Sequence, residues 1–163
     1  MGIHAGVNLT ATGGTTAEFG LGDEINVCGA QYKYVQAAGA VAAFQLCHIS
    51  ATNTILESTT TLVGTAARPT ELCVPQFAIA SGEYAWVPVG PFKLREDGVT
   101  KFKVNAALDC ATSVRLYTTG TAGVVDDSAT TGLVGGLSLT ETITTAEAAD
   151  CVAVTRLVSF CEL

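Results

Sequence analysis

The side chains in this chain best suited to chemistry are two histidines, six cysteines and one adjacent pair of aspartates. His4 and His48 are the residues that ordinarily exchange a proton near neutral pH, yet neither sits in a readable constellation with Ser, Cys and Asp. Cys47 precedes His48, but neighbours in an extended strand point to opposite faces, so His48 reads as a structural histidine. Cys28, Cys47, Cys73, Cys110, Cys151 and Cys161 never fall in a C-x-x-C pair, and the histidines are not at paired ligand spacing, which argues against zinc. Six cysteines allow about fifteen disulfide connectivities. A domain of this size needs no staples, however, and buried free thiols acting as small hydrophobes are the preferred reading. Asp126-Asp127 could hold calcium or share a proton. The residues after them supply neither alternating oxygen ligands nor a terminal glutamate, so an exposed turn is expected.

No Walker loop, Rossmann glycine fingerprint, nucleophile elbow or zinc-protease helix occurs in the sequence. Fifteen acidic residues leave two-carboxylate glycoside hydrolysis formally open, but an aromatic content of 7% argues against a sugar cleft. No catalytic residue, cofactor or metal ligand is assigned. Tyr84 and the single tryptophan, Trp86, are the residues that would line a ligand pocket; a core role is preferred for both.

The charge inventory narrows the partners. The net charge is −7 and the pI is near 4.6, and no basic stripe exists to neutralise phosphates, which excludes nucleic acid as the expected partner. Lys93, Arg95, Lys101 and Lys103 form the one loose basic group, interleaved with Glu96 and Asp97, and read as a solvated strand face. No apolar run is long enough to span a bilayer and the N-terminus lacks a secretory signal, so a cytoplasmic site of synthesis and no membrane partner are expected. Only 14% of the residues are charged while 48% are hydrophobic, against about a quarter charged in an average soluble domain. Thr, Ala and Gly replace the missing charge, and these solvate a surface weakly, so the chain reads as one that packs against other subunits.

These residues must be positioned by strands. Residues 1–26 mix Gly, Thr and Ala without a sustained period and are expected to form an extended arm; residues 27–163 form a single β domain. Within the arm, Ile3, Val7 and Leu9 are the candidate partner-binding residues. Two hairpins are expected. One spans Leu72 to Leu94 around Ser81-Gly82-Glu83, with Pro75 and Pro88 at edges or bulges. The other runs from Gln31 through a turn at residues 37–40 to a return strand over residues 44–49.

Thr-rich residues 50–70 favour short strands. Val99–Ala107 alternates as a half-buried strand, Val114–Thr118 is extended, and Leu133–Leu139 is a strand with a bulge at Gly135-Gly136. Residues 141–150 fit a short helix or an ordered loop. The final strand places Val152, Val154, Val158 and Phe160 on one face, with Arg156 among them. Eight to ten short strands with glycine turns and no amphipathic helix give an all-β fold, a compact β-barrel or sandwich.

Three segments carry a resemblance: Tyr32-Lys33-Tyr34-Val35-Gln36-Ala37-Ala38-Gly39-Ala40, then Gly82-Glu83-Tyr84-Ala85-Trp86-Val87, then Leu116-Tyr117-Thr118-Thr119 running on through Ala122-Gly123-Val124-Val125-Asp126-Asp127. In this order and spacing the chain resembles the small β-barrel head decoration proteins, or capsid cement proteins, of tailed bacteriophages. The resemblance covers roughly residues 30 to 160; the cysteines and the N-terminal arm lie outside it. It implies a non-enzymatic virion protein on the capsid exterior that binds the major capsid protein at subunit junctions as a homo-oligomer, with a trimer favoured. A tail-tube or fibre-base protein is the nearest alternative, and a carbohydrate-binding domain a more distant one.

Overall fold

The computed structural model describes residues 7–60, 70–92, 102–129 and 132–161. Eleven strands form among them: β1 (Glu24–Val27), β2 (Ala30–Ala37), β3 (Cys47–Ile49), β4 (Thr54–Glu57), β5 (Thr70–Cys73), β6 (Tyr84–Pro88), β7 (Phe102–Ala106), β8 (Leu116–Thr118), β9 (Val125–Asp126), β10 (Gly132–Leu139) and β11 (Glu147–Cys161). The fold is all-β, as the composition and glycine turns predict.

Five of the strands close a barrel in the order β11, β10, β8, β9, β7 and back to β11. Closure removes the unpaired edges that an open sheet of short strands would expose. The alternation in β7 shows how the core is filled: Phe102, Val104 and Ala106 point inward and Lys103 and Asn105 outward. Leu116, Val125, Val134, Leu137, Leu139 and Leu157 complete the interior.

The other strands run in the order β6, β2, β4, β3, β5, and β5 bonds to β11. This second sheet has its own core, centred on Val35, Ile55, Ile79, Val87 and Val89. One edge of β2 is taken by β6. Its other edge is shared between antiparallel β1 and parallel β4.

β11 joins the two halves. One of its edges pairs with β10, and the other meets in turn β7, Phe92, Val89 and β5. The expected bulge is present: the step from Gly135 to Leu137 on β10 faces the longer stretch from Val158 back to Ala153 on β11. Gly136 has φ +89°, and a Cβ there would stand 2.7 Å from Thr155 Oγ1 and 2.9 Å from the Arg156 carbonyl oxygen, so only glycine lets β11 bend at this point.

Neither expected hairpin forms. The Ser81-Gly82 turn is present, with Gly82 at φ +83°, but β6 pairs with β2 from Tyr32↔Pro88 to Gln36↔Tyr84. The segment before the turn, broken by Pro75, goes elsewhere. Gln76 uses its side-chain amide as a strand would, accepting from Lys103 N–H at 2.9 Å and donating to Lys103 O at 3.0 Å, and Ile79 bridges to Val41. In the second case Phe44 adopts φ +67°, which ends extended geometry. The return strand therefore begins only at Cys47, and it pairs with β4 and β5 rather than with β2.

Two further expectations are adjusted. Of the helix or ordered loop expected over residues 141–150, the loop is present at 140–146, and from Glu147 the chain is already in β11, held by β7. On β11 the inward face is the odd one, with Cys151, Ala153, Leu157 and Ser159 buried, so Val152, Val154 and Arg156 face outward. Valine marks a strand here but not its buried side.

Candidate protein-binding surface

Val154 is the most exposed large hydrophobic side chain among the described residues, at 77% of its full accessibility. It stands at the start of the bulged stretch of β11, beside an apolar groove of about 510 Å³ lined by Gly29, Pro91, Phe92, Val152, Ala153 and Val154. The groove floor is tied into the sheet. Phe92 is locked to Ala153 by reciprocal backbone hydrogen bonds of 2.9 and 2.7 Å and stacks on Phe102 with ring centroids 4.5 Å apart. Leu108, Val114, Leu21 and Leu56 are also exposed.

Two residues beyond Val154 on the same outward face, Arg156 anchors a group of four charges. Its guanidinium bonds Glu71 on β5 and Glu24 on β1, with Nε to Glu71 Oε1 at 2.8 Å and Nη1 to Glu24 Oε2 at 3.0 Å. Lys33 on β2 completes the group through Glu71 Oε2 at 2.6 Å and Glu24 Oε1 at 3.8 Å. Hydrogen bonding from Arg156 holds the Glu24 carboxyl below its usual range, aided by the charges of Arg156 and Lys33 and opposed by burial. Within this group two cations answer two carboxylates, so its charges are compensated.

The expected arm is partly absorbed by the domain. Gly13 N–H bonds the Tyr84 carbonyl at 2.8 Å, Tyr84 N–H bonds the Gly14 carbonyl at 2.9 Å, and Glu18 N–H bonds Tyr34 Oη at 3.1 Å. Of the three arm residues singled out, Val7 and Leu9 are half-buried and Ile3 lies outside the described residues. They are not brought to the Val154 groove by any described contact. The groove was missed in the sequence because it depends on the outward face of β11, which alternation alone assigned to the core.

The other chemical candidates resolve into structural roles. Trp86 is 3% exposed, covered by Phe19 and Tyr34 with ring centroids at 5.2 and 5.1 Å, so the pair Tyr84 and Trp86 lines no open sugar cleft. Cys47 is buried and His48 half-buried on the opposite face, its pKa lowered by burial. Cys110, Asp126 and Asp127 bring three ligand-type atoms within 4.8 Å of one another. Asp127 there accepts a hydrogen bond from Ala111 N–H at 3.0 Å, and burial with the two carboxylates pushes the Cys110 thiol up to about 11. Asp126 ends β9 and Asp127 follows it, both half-buried, where an exposed turn was expected. Lys103, from the loose basic group, faces Asp150 at 3.7 Å; Lys93, Arg95 and Lys101 lie outside the described residues. No helix among the described residues is long and apolar enough to cross a membrane.

The chain matches no family model, no curated protein and no solved structure.

Proposed function

We propose that the protein is a non-enzymatic virion structural component that binds the outer surface of a mature capsid and stabilises contacts between major capsid subunits, acting as a homo-oligomer with a trimer favoured. The observation that carries this reading is the outward valine face of β11 with its groove: an apolar surface on a protein in which only 14% of the residues are charged. Such a surface suits a protein partner and gives nothing to a phosphate backbone. The sequence resemblance to small β-barrel decoration proteins supplies the kind of partner. One groove lined by six residues is smaller than a stable interface, which takes about 20–30 residues a side, so several copies or a second contact must act together. The segment before Gly13, carrying Ile3, Val7 and Leu9, supplies that second contact. A clamp of this kind must prefer the expanded shell, because equal affinity for both shell states shifts neither.

The test is co-sedimentation with unexpanded and expanded shells of the cognate major capsid protein. Wild-type protein is expected to pellet with expanded shells only. Val154→Lys is expected to bind at least about tenfold more weakly at an unchanged melting temperature, as burying an unpaired ammonium costs well over the ~1.4 kcal/mol that a factor of ten represents. Wild-type protein left in the supernatant with expanded shells overturns the proposal.

A further inference from the structure

Two of the cysteines stand directly opposite each other. Cys47 on β3 and Cys73 on β5 are register partners in an antiparallel ladder, where facing Cα atoms lie about 4.5–5.5 Å apart, inside the window of about 4.4–6.8 Å that a disulfide spans. Facing residues project to the same side of the sheet. Both side chains are fully buried in the core of the second sheet, and the Cys47 thiol donates to the Gln45 carbonyl at 3.5 Å. Cys110 and Cys151 belong to the barrel core instead, where Cys151 stands opposite Phe102 and Leu139, and Cys28 is exposed in the turn between β1 and β2.

We propose that Cys47 and Cys73 form a latent cross-strand disulfide, closed by a peroxide-class oxidant. In the first step one sulfur takes an oxygen from hydrogen peroxide, the O–O bond breaks, and a sulfenic acid and one water result. The second sulfur then attacks the sulfenic sulfur, an S–S bond forms, and the hydroxyl leaves as a second water with the remaining thiol proton. Two thiols are oxidised and one peroxide is reduced to two waters. Burial holds the Cys73 thiol well above its ordinary pKa, so the pair reacts slowly and stays reduced in a cytoplasm-like redox poise. Once closed, the bond encloses residues 47–73 and ties β3 to β5, the strand that carries the second sheet onto β11. It then restricts the unfolded chain more than the folded one. The inference stands independently of the function proposed above.

The experiment uses the full chain with Cys28→Ser, which removes the exposed thiol and touches neither core. Protein reduced and then treated with hydrogen peroxide is alkylated under denaturing conditions and cut after Lys, Arg and Glu, which places Cys47 in residues 34–57 and Cys73 in residues 72–83. The expected product is these two peptides linked, lighter than their sum by two hydrogens and separated by dithiothreitol. The oxidised protein is expected to melt several degrees above the reduced one. Recovery of the two peptides unlinked, whether alkylated or oxidised to sulfinic acids, overturns the proposal, as does a linked pair with no rise in melting temperature.

Discussion

Arg156 on β11 and Glu71 on β5 meet across the joint between the barrel and the second sheet, with Nε donating to Glu71 Oε1 at 2.8 Å and Nη2 bonding the same oxygen. The two residues are diagonal neighbours, because Val158 is the register partner of Glu71. Glu24 and Lys33 extend the contact to β1 and β2. One guanidinium thus ties β11 to β5 and β1, and Lys33 brings in β2 through the same two carboxylates.

Removing that guanidinium is expected to weaken the joint and change its response to acid. Arg156→Ala leaves two carboxylates with Lys33 as their shared cation and should cost about 1–2 kcal/mol, given that the group is partly solvated, a drop of roughly 2–8 °C in melting temperature. Glu24 adds a pH signature. Its folded pKa is depressed below 4.5, so its contribution is fully present above that value and is lost as pH falls through the lower folded one. Urea midpoints measured from pH 7 down to 3 should therefore fall less steeply in Arg156→Ala than in the wild type. Parallel curves would show that Glu24 gains nothing from Arg156.

A second prediction concerns Gly90, where chain 89–92 runs along the edge of β11. The residue has φ +84°, and a Cβ there would press into the Thr155 carbonyl oxygen and the Ala153 side chain. Backbone strain and a clash with backbone combine, so Gly90→Ala should cost more than about 2 kcal/mol. Gly82 has nearly the same φ, +83°, and a Cβ added there would meet nothing within 4 Å, so Gly82→Ala should cost only about 1 kcal/mol. Chemical denaturation of the two variants separates steric from conformational cost. Equal losses would mean that the close approach to β11 relaxes freely.

The contrast between these glycines marks how far the sequence could be read. Strand type was legible because Tyr32–Gln36, Phe102–Val104 and Leu133–Leu139 carry β-branched and aromatic residues between glycine turns, and the Gly135-Gly136 bulge was legible because two adjacent glycines weaken a strand. Pairing was not. A hairpin is the cheapest partner choice in loop entropy, and β10 and β11 take it, yet β6 reaches back to β2, and β11 also contacts β5 and β7, decisions made by tertiary packing. The apolar groove was illegible for the same reason: Val152 and Val154 look like core residues until β11 is seen to bury its alanine and leucine face. The Cys47 and Cys73 juxtaposition likewise depends on a β3 to β5 ladder that no local signal encodes.

The third prediction comes from the way the N-terminal segment closes over the tryptophan. Phe19 meets Tyr34 edge-on at 5.3 Å and Trp86 at 5.2 Å, and Tyr34 stacks on Tyr84 at 5.8 Å. The segment is fastened on either side of Phe19 by Glu18 N–H to Tyr34 Oη at 3.1 Å and Gly22 N–H to the Tyr34 carbonyl at 2.9 Å, so Phe19→Ala opens a hole without releasing the backbone. Loss of a half-buried ring from an aromatic cluster should cost about 1–3 kcal/mol. Trp86 is the chain's single tryptophan, which makes fluorescence a direct reading of its surroundings. In Phe19→Ala the emission should shift to longer wavelength and acrylamide should quench it more strongly, while Tyr34→Phe, which removes only the hydroxyl that holds Glu18, should leave the ring packing and emission maximum close to wild type. An unshifted spectrum in Phe19→Ala would mean that Trp86 is shielded by β2 and β6 alone and that the N-terminal segment contributes no cover.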